Sequence, residues 1–154
     1  MDELIEVVKH LRAPDGCQWD KEQTHASLKP GIIEESVEVI CGINVYEKTG
    51  DPDNLKEELG DLLLQVVMQS QIAEKEDLFS FEDVCKGISE KLIRRHPHVF
   101  GDLKMKNADE VLANWEEIKS KEKRIDVSGY IFDAFDEAQG LIDKARIRKK
   151  DKKR

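Results

Sequence analysis

The chain has 154 residues, 39% hydrophobic and 38% charged, and its 25 Lys and Arg against 33 Asp and Glu give a formal charge of −8. That length suits one soluble domain, which buries roughly 68–70% of the surface its unfolded chain exposes, so a core can form without disulfides or a structural metal. An acidic body repels duplex DNA, whose binding needs Lys and Arg to displace counterions, and no stretch approaches the ~20 apolar residues of a membrane span.

Leu4, Val7, Val8 and Leu11 recur at helical spacing and predict a short first helix. The N-terminus is charged from Asp2 onward and does not read as a signal peptide. After the turn Ala13-Pro14-Asp15-Gly16, Asp20 with Gln23 three residues on reads as a capping box, and Trp19 as the core anchor of the loop. A long helix is expected from about Thr24 to Lys48, bent near Pro30 and ended by Gly50 and Pro52. A second follows from Pro52 to about Glu76. Ser80 with Asp83 opens a third that Pro97 stops after Arg95 or His96. Asn107 with Glu110 opens a fourth, to about Lys123, and a fifth runs from Ile131 into the tail. Nothing alternates with period two for long enough to be a strand, so the expected fold is all-α, an antiparallel helical bundle. Cys17, Cys41 and Cys85 are odd in number and far apart in sequence, which suits a reducing, cytoplasmic setting.

On the first long helix, apolar residues cover most of the wheel and leave one narrow polar sector, filled by Glu34, Glu35 and Glu38. A helix this apolar is expected to be covered on most sides, which places the carboxylates beside protein. On the second long helix, Leu55, Leu59, Leu62, Leu63 and Val66 form the core stripe and Glu58, Asp61 and Gln65 flank it. The pattern is E-E-x-x-E, nineteen intervening residues, then E-x-x-D. Acids near helix starts favour the macrodipole, and Glu is a good helix former. That accounts for Glu34, Glu35, Glu57 and Glu58, but poorly for Asp61, because Asp disfavours helix interiors. Two carboxylates about 4 Å apart at an effective dielectric near 20 repel by about 4 kcal/mol, so carboxylates facing one another across two helices call for a cation. With no His or Cys in either motif, the all-oxygen set suits Mg²⁺ or Mn²⁺, and Mg²⁺ is commonly bound together with substrate phosphates.

The third helix ends in a cationic run, Lys91, Arg94 and Arg95. Lys91 and Arg95 share a face and either hold phosphate oxygens or complement the helix C-terminus. His96 and His98 flank a proline without a third metal ligand in the sequence. Trp115 and Lys119, one turn apart, read either as core and surface or as a base-stacking ring with a phosphate-reaching ammonium. From Lys144 to Arg154 there are eight basic residues and one acid, which leaves a net −15 on the rest of the chain. That tail is expected to be a solvated helix end, dispensable for turnover.

These residues, in this order, resemble a known family. The loop LRAPDGCQWDKEQTHASL (11–28), Glu34-Glu35-x-x-Glu38, Glu57-Glu58-Leu-Gly-Asp61, KLIRRHPHVF (91–100) and Asn114-Trp115-Glu116-x-x-Lys119 are similar to those of the MazG nucleoside triphosphate pyrophosphohydrolases. The resemblance covers residues 1–125 and leaves 126–154 as a helical extension ending in the basic tail. It implies the all-α NTP pyrophosphatase fold, completed as a dimer or dimer of dimers, and Mg²⁺-dependent cleavage of NTPs or dNTPs to monophosphate and pyrophosphate. Carried onto matching positions, Glu35, Glu38, Glu58 and Asp61 would hold the metal and position a water for attack at the α-phosphorus, with Glu34 or Glu35 accepting its proton. Lys91, Arg94, Arg95 and Lys119 would hold phosphates, and Trp115 the nucleoside. Gln18 stands where the family usually has Pro, Asn54 where some relatives carry Lys, and the domain occurs once where many relatives have two. A narrower pyrophosphatase acting on dUTP, a damaged nucleotide or phosphoribosyl-ATP, and a regulatory module that binds nucleotide without turnover, are the alternatives.

Overall fold

A computed structural model describes residues 2–122 and 125–151, and the described residues form helices joined by turns, with no strand among them. Helix α1 (Asp2–Leu11) carries Asp2 and Glu3 in its first turn and Lys9 and His10 in its last, matching the helix dipole at both ends. The loop after it is held by Arg12, which donates to the backbone carbonyls of Asp20 and Gln23. Gly16 is required there, because a Cβ would run into the carbonyl oxygens of His10 and Leu11.

Two expectations for this region are corrected. Asp20 lies inside the short helix α2 (Gln18–Glu22) and caps nothing; the reciprocal bonds are made by Thr24 and Ser27, each backbone N–H donating to the other's hydroxyl at 2.9 and 3.2 Å. Trp19 does not anchor the loop in the core, for it is 63% exposed. Gln18 is the first residue of α2, and its amide donates to Glu22.

Helix α3 spans Lys29–Thr49. Pro30 sits in its first turn, where a missing N–H leaves no intrahelical bond unmade, so Pro30 starts the helix instead of bending it. Gly50, at φ 76°, ends it by donating to the Tyr46 carbonyl at 2.8 Å. Helix α4 (Asp53–Lys75) then returns antiparallel to α3. The two pack closely at Gly42, where a Cβ would lie 2.8 Å from the Leu55 Cα, and at Gly31, where it would meet the Gln65 amide at 2.9 Å.

The core forms where α1, the start of α3 and the second half of α4 meet: Val8, Leu28, Val67, Met68, Ile72, Ala73 and Phe81 are buried. The first half of α4 departs from expectation. Leu59, Leu63 and Val66 are exposed, as are Val37, Ile40, Ile43 and Tyr46 on α3. The expected cover over this apolar pair is supplied only in part by the helices of the same compact unit, which reach α3 at Val37.

Helix α5 (Phe81–Arg95) stops before Pro97, which opens a one-turn helix, α6 (Pro97–Phe100), that periodicity does not predict. Helix α7 (Ala108–Lys121) is capped as expected: Asn107 accepts from the Glu110 N–H at 2.9 Å. Its expected end at Lys123 lies outside the described residues. Helix α8 (Ser128–Asp151) is the last. None of the described helices is long and apolar enough to cross a membrane.

The chain forms two compact units, Met1–Phe81 with Ser128–Arg154, and Glu82–Val127. Within the first, α8 packs along α3 in the same direction, so this pair departs from the antiparallel expectation. Lys29 and Glu137 bridge one end at 2.8 Å, Arg148 and Glu34 the other at 2.8 Å, and Ala145 is buried between.

Gly42 generates a stability test. Gly42→Ala gains about 1 kcal/mol of helix propensity but forces overpacking against backbone, which costs about 1–3 kcal/mol. Chemical denaturation should report a net loss of up to about 2 kcal/mol. Gly60→Ala, where a Cβ meets nothing within 4 Å, should stabilise by about 0.5–1 kcal/mol.

Candidate metal centre

Glu35 and Glu38 lie one turn apart on α3, and Glu58 and Asp61 one turn apart on α4. The antiparallel hairpin brings Glu35, Glu38 and Glu58 together, each partly buried and each offering a carboxylate oxygen within 4.8 Å of the others. Asp61 is exposed and falls outside that group. It still acts on it electrostatically. The Glu35 carboxyl is pushed above the usual carboxylate range, first by burial and then by the charges of Asp61, Glu58 and Glu34, with Lys149 opposing them. On α4, the Asn54 amide donates to Glu58 Oε1 at 2.9 Å, so this position orients the Glu58 carboxylate. The donors are all oxygen and crowded enough to repel, which fits a hard divalent cation and not a soft one.

The basic tail is corrected here. Arg148 and Lys149 are not solvated bystanders: Arg148 binds Glu34 at 2.8 Å and Lys149 pairs with Glu38. Charge content alone hides this. A usable signal is that Ile142, Ala145 and Lys149 fall at i, i+3 and i+7 and so share one helix face, apolar at one end and cationic at the other. Lys152, Lys153 and Arg154 lie outside the described residues.

The second unit gathers the expected cationic and aromatic residues. Lys91, Arg94, Arg95, Lys119 and Glu122 line a cavity of about 860 Å³. The Arg95 guanidinium stands 4.9 Å from the Trp115 ring centroid and the Lys119 ammonium 4.5 Å from it. Glu122, which no spacing in the sequence singles out, binds both arginines: Arg95 through two bonds of 3.1 and 2.6 Å, and Arg94 through two of 3.1 and 2.7 Å. Those hydrogen bonds, Arg95 first and Arg94 second, hold the Glu122 carboxyl down at about 2. A phosphate entering this cavity competes with Glu122 for the same donors.

Two measurements check this electrostatic account. Because the Glu122 pKa lies below its usual 4.5, its pairing stabilises the fold above that value and is lost as pH falls toward about 2. A carboxyl ¹³C titration should therefore give Glu122 a midpoint near 2. Glu35 has the opposite sign: raised, it destabilises the metal-free protein at neutral pH. Glu35→Gln should raise the melting temperature of metal-free protein and weaken divalent-metal binding in the same preparation.

Residues 23–100 match the MazG nucleotide pyrophosphohydrolase domain. The chain is 51% identical over 122 residues to the nucleoside triphosphate pyrophosphohydrolase/pyrophosphatase MazG of Thermotoga maritima, covering 79% of this chain and 45% of that protein. It is 49% identical over 124 residues to the nucleoside triphosphate pyrophosphohydrolase of Escherichia coli K12, covering 80% of this chain and 46% of that one. The chain thus spans less than half the length of these relatives. A crystal structure of a mazG-related protein from Thermotoga maritima superposes with a TM-score of 0.61 at 26% identity, over 79% of this chain and all of that one. The helical fold, the paired acidic motifs and the matched residues agree: the chain belongs to the MazG nucleotide pyrophosphohydrolase domain family.

Proposed function

We propose that this chain hydrolyses nucleoside triphosphates, NTPs, dNTPs or both, to nucleoside monophosphate and pyrophosphate with Mg²⁺, for which Mn²⁺ can substitute. The observation that carries the reading is the partly buried group Glu35, Glu38 and Glu58, three carboxylates each offering an oxygen within 4.8 Å of the others. The printed names of the Escherichia coli and Thermotoga maritima relatives support the same activity.

In this reading Glu35, Glu38 and Glu58 would hold the ion, and Asp61, one turn on along α4, would add its charge to theirs. Such an ion, when bound, would neutralise charge developing on the phosphates and acidify water. Glu34, which Arg148 holds at 2.8 Å, or Glu35 would take the proton from the attacking water. The water oxygen bonds to the α-phosphorus, the bond from that phosphorus to the α,β-bridging oxygen breaks, and pyrophosphate leaves with that oxygen. Lys91, Arg94, Arg95 and Lys119 bind phosphate oxygens, and Trp115 offers a ring face to the base.

The reading extends to the assembly and its setting. The exposed apolar residues of α3 and α4, among them Ile40, Tyr46, Leu59 and Leu63, suit burial against a second copy of the chain, as a homodimer or a dimer of dimers. Three free thiols, Cys17, Cys41 and Cys85, suit the reducing cytoplasm. The role is removal of unwanted triphosphates from the nucleotide pool.

Product analysis with the common NTPs and dNTPs tests the activity. Pyrophosphate plus monophosphate is expected; orthophosphate plus diphosphate, or no Mg²⁺-dependent product, overturns it. Glu38→Gln and Asp61→Asn should each lose several kcal/mol of transition-state stabilisation, about a hundredfold or more in rate, while far-UV circular dichroism stays helical.

A further inference from the structure

Helix α8 reaches the acidic group with two successive cations. Arg148 binds Glu34 at 2.8 Å, and Lys149 pairs with Glu38, itself one of the three clustered carboxylates. The helix is placed for this by contacts elsewhere along its length. Ala145 is buried against α3, Ile142 and Ala145 with Val37 and Glu34 line the seam between the two helices, and Lys29 with Glu137 fastens the other end at 2.8 Å. The Lys149 side chain is 56% exposed and long, so its ammonium can leave Glu38 without unseating the helix.

An ammonium on Glu38 and a divalent cation shared by Glu35, Glu38 and Glu58 compete for the same carboxylate. They also repel each other at contact distance. The pair accordingly serves two ends: in the metal-free protein the ammonium offsets repulsion within the acidic group, and it must be broken before the cation is fully coordinated. A state that has to be vacated before binding lowers apparent affinity by the fraction of molecules occupying it.

We propose that α8 is a built-in competitor of the metal: Lys149, steadied by Arg148 on Glu34, occupies Glu38 in the metal-free protein and sets how much divalent cation is needed to fill the centre. This rests on the reading of Glu35, Glu38 and Glu58 as a cation site. It assigns the C-terminal helix a part in metal loading, and it makes the coupling reciprocal, since a cation on the carboxylates releases Lys149 to the same extent that Lys149 weakens the cation.

The test is isothermal titration of Mn²⁺ into the full chain without nucleotide, comparing the unmodified protein with Lys149→Gln, Lys149→Met and Lys144→Gln. The last lowers the charge of α8 equally, from an exposed position outside these ion pairs. Both Lys149 variants should bind Mn²⁺ about two- to fivefold more tightly, the range that breaking a part-exposed ion pair allows, and Lys144→Gln should shift affinity by less. Lys149→Met keeps the aliphatic stem, so agreement between the two variants separates charge from packing. Equal or weaker Mn²⁺ binding by both Lys149 variants overturns the proposal while the metal centre stands. Absence of Mn²⁺ binding from every protein removes the metal centre and this proposal together.

Discussion

Repulsion among carboxylates held between two tightly packed helices governs the rest of this molecule. Gly31 against Gln65 and Gly42 against Leu55 are the close approaches of α3 and α4, and Glu35, Glu38, Glu58 and Asp61 fall between them along both helices. Hydrophobic packing and backbone proximity thus force together groups that electrostatics would separate. Part of the strain is visible in Glu35, whose proton is held more tightly than usual by burial and by three neighbouring acids.

The counter-charges are arranged in different ways in the two units. In the first, they come from α8, far along the chain, through Arg148 and Lys149. In the second, the cations are partly neutralised in place: Glu122 takes both Arg94 and Arg95, and Trp115 offers its ring to Arg95 and Lys119. Each unit therefore carries its own placeholder, a cation on the carboxylates and a carboxylate on the cations. In the proposed reading these partners stand where a metal ion and a phosphate would bind. Pre-pairing of this kind keeps side chains oriented and lowers the desolvation cost of leaving a charge alone, at the expense of some affinity.

Much of this was legible in the sequence, for reasons that differ by element. The long helices were readable because their apolar periodicity runs for many turns and their ends carry Gly50, Pro52, Pro97 and the Asn107 cap, all local signals. The coming together of Glu35, Glu38 and Glu58 was readable because residues three apart share a helix face, whereas Asp61, read as a fourth member, is exposed and falls outside that group. What failed was tertiary. Asp20 and Gln23 matched a capping pattern, but Thr24 and Ser27 made the bonds. Pro30 looked like a bend because its distance from the helix start was misjudged by a few residues. Trp19 looked buried because of its size. Glu122 and Lys149 act through partners 27 and 111 residues away in sequence, and no spacing rule reports on pairs so far apart. The apolar stripe of α4 was identified, but a stripe says only that something covers it, not that the same chain does.

The central claim is that a divalent cation sits among Glu35, Glu38 and Glu58. Anomalous diffraction from crystals of this chain grown with Mn²⁺ tests it most directly. The account predicts an anomalous peak between α3 and α4, within coordination distance of oxygens from all three glutamates, with Lys149 withdrawn from Glu38. Ordered carboxylates without a peak between them, or Mn²⁺ bound only elsewhere on the molecule, would contradict it.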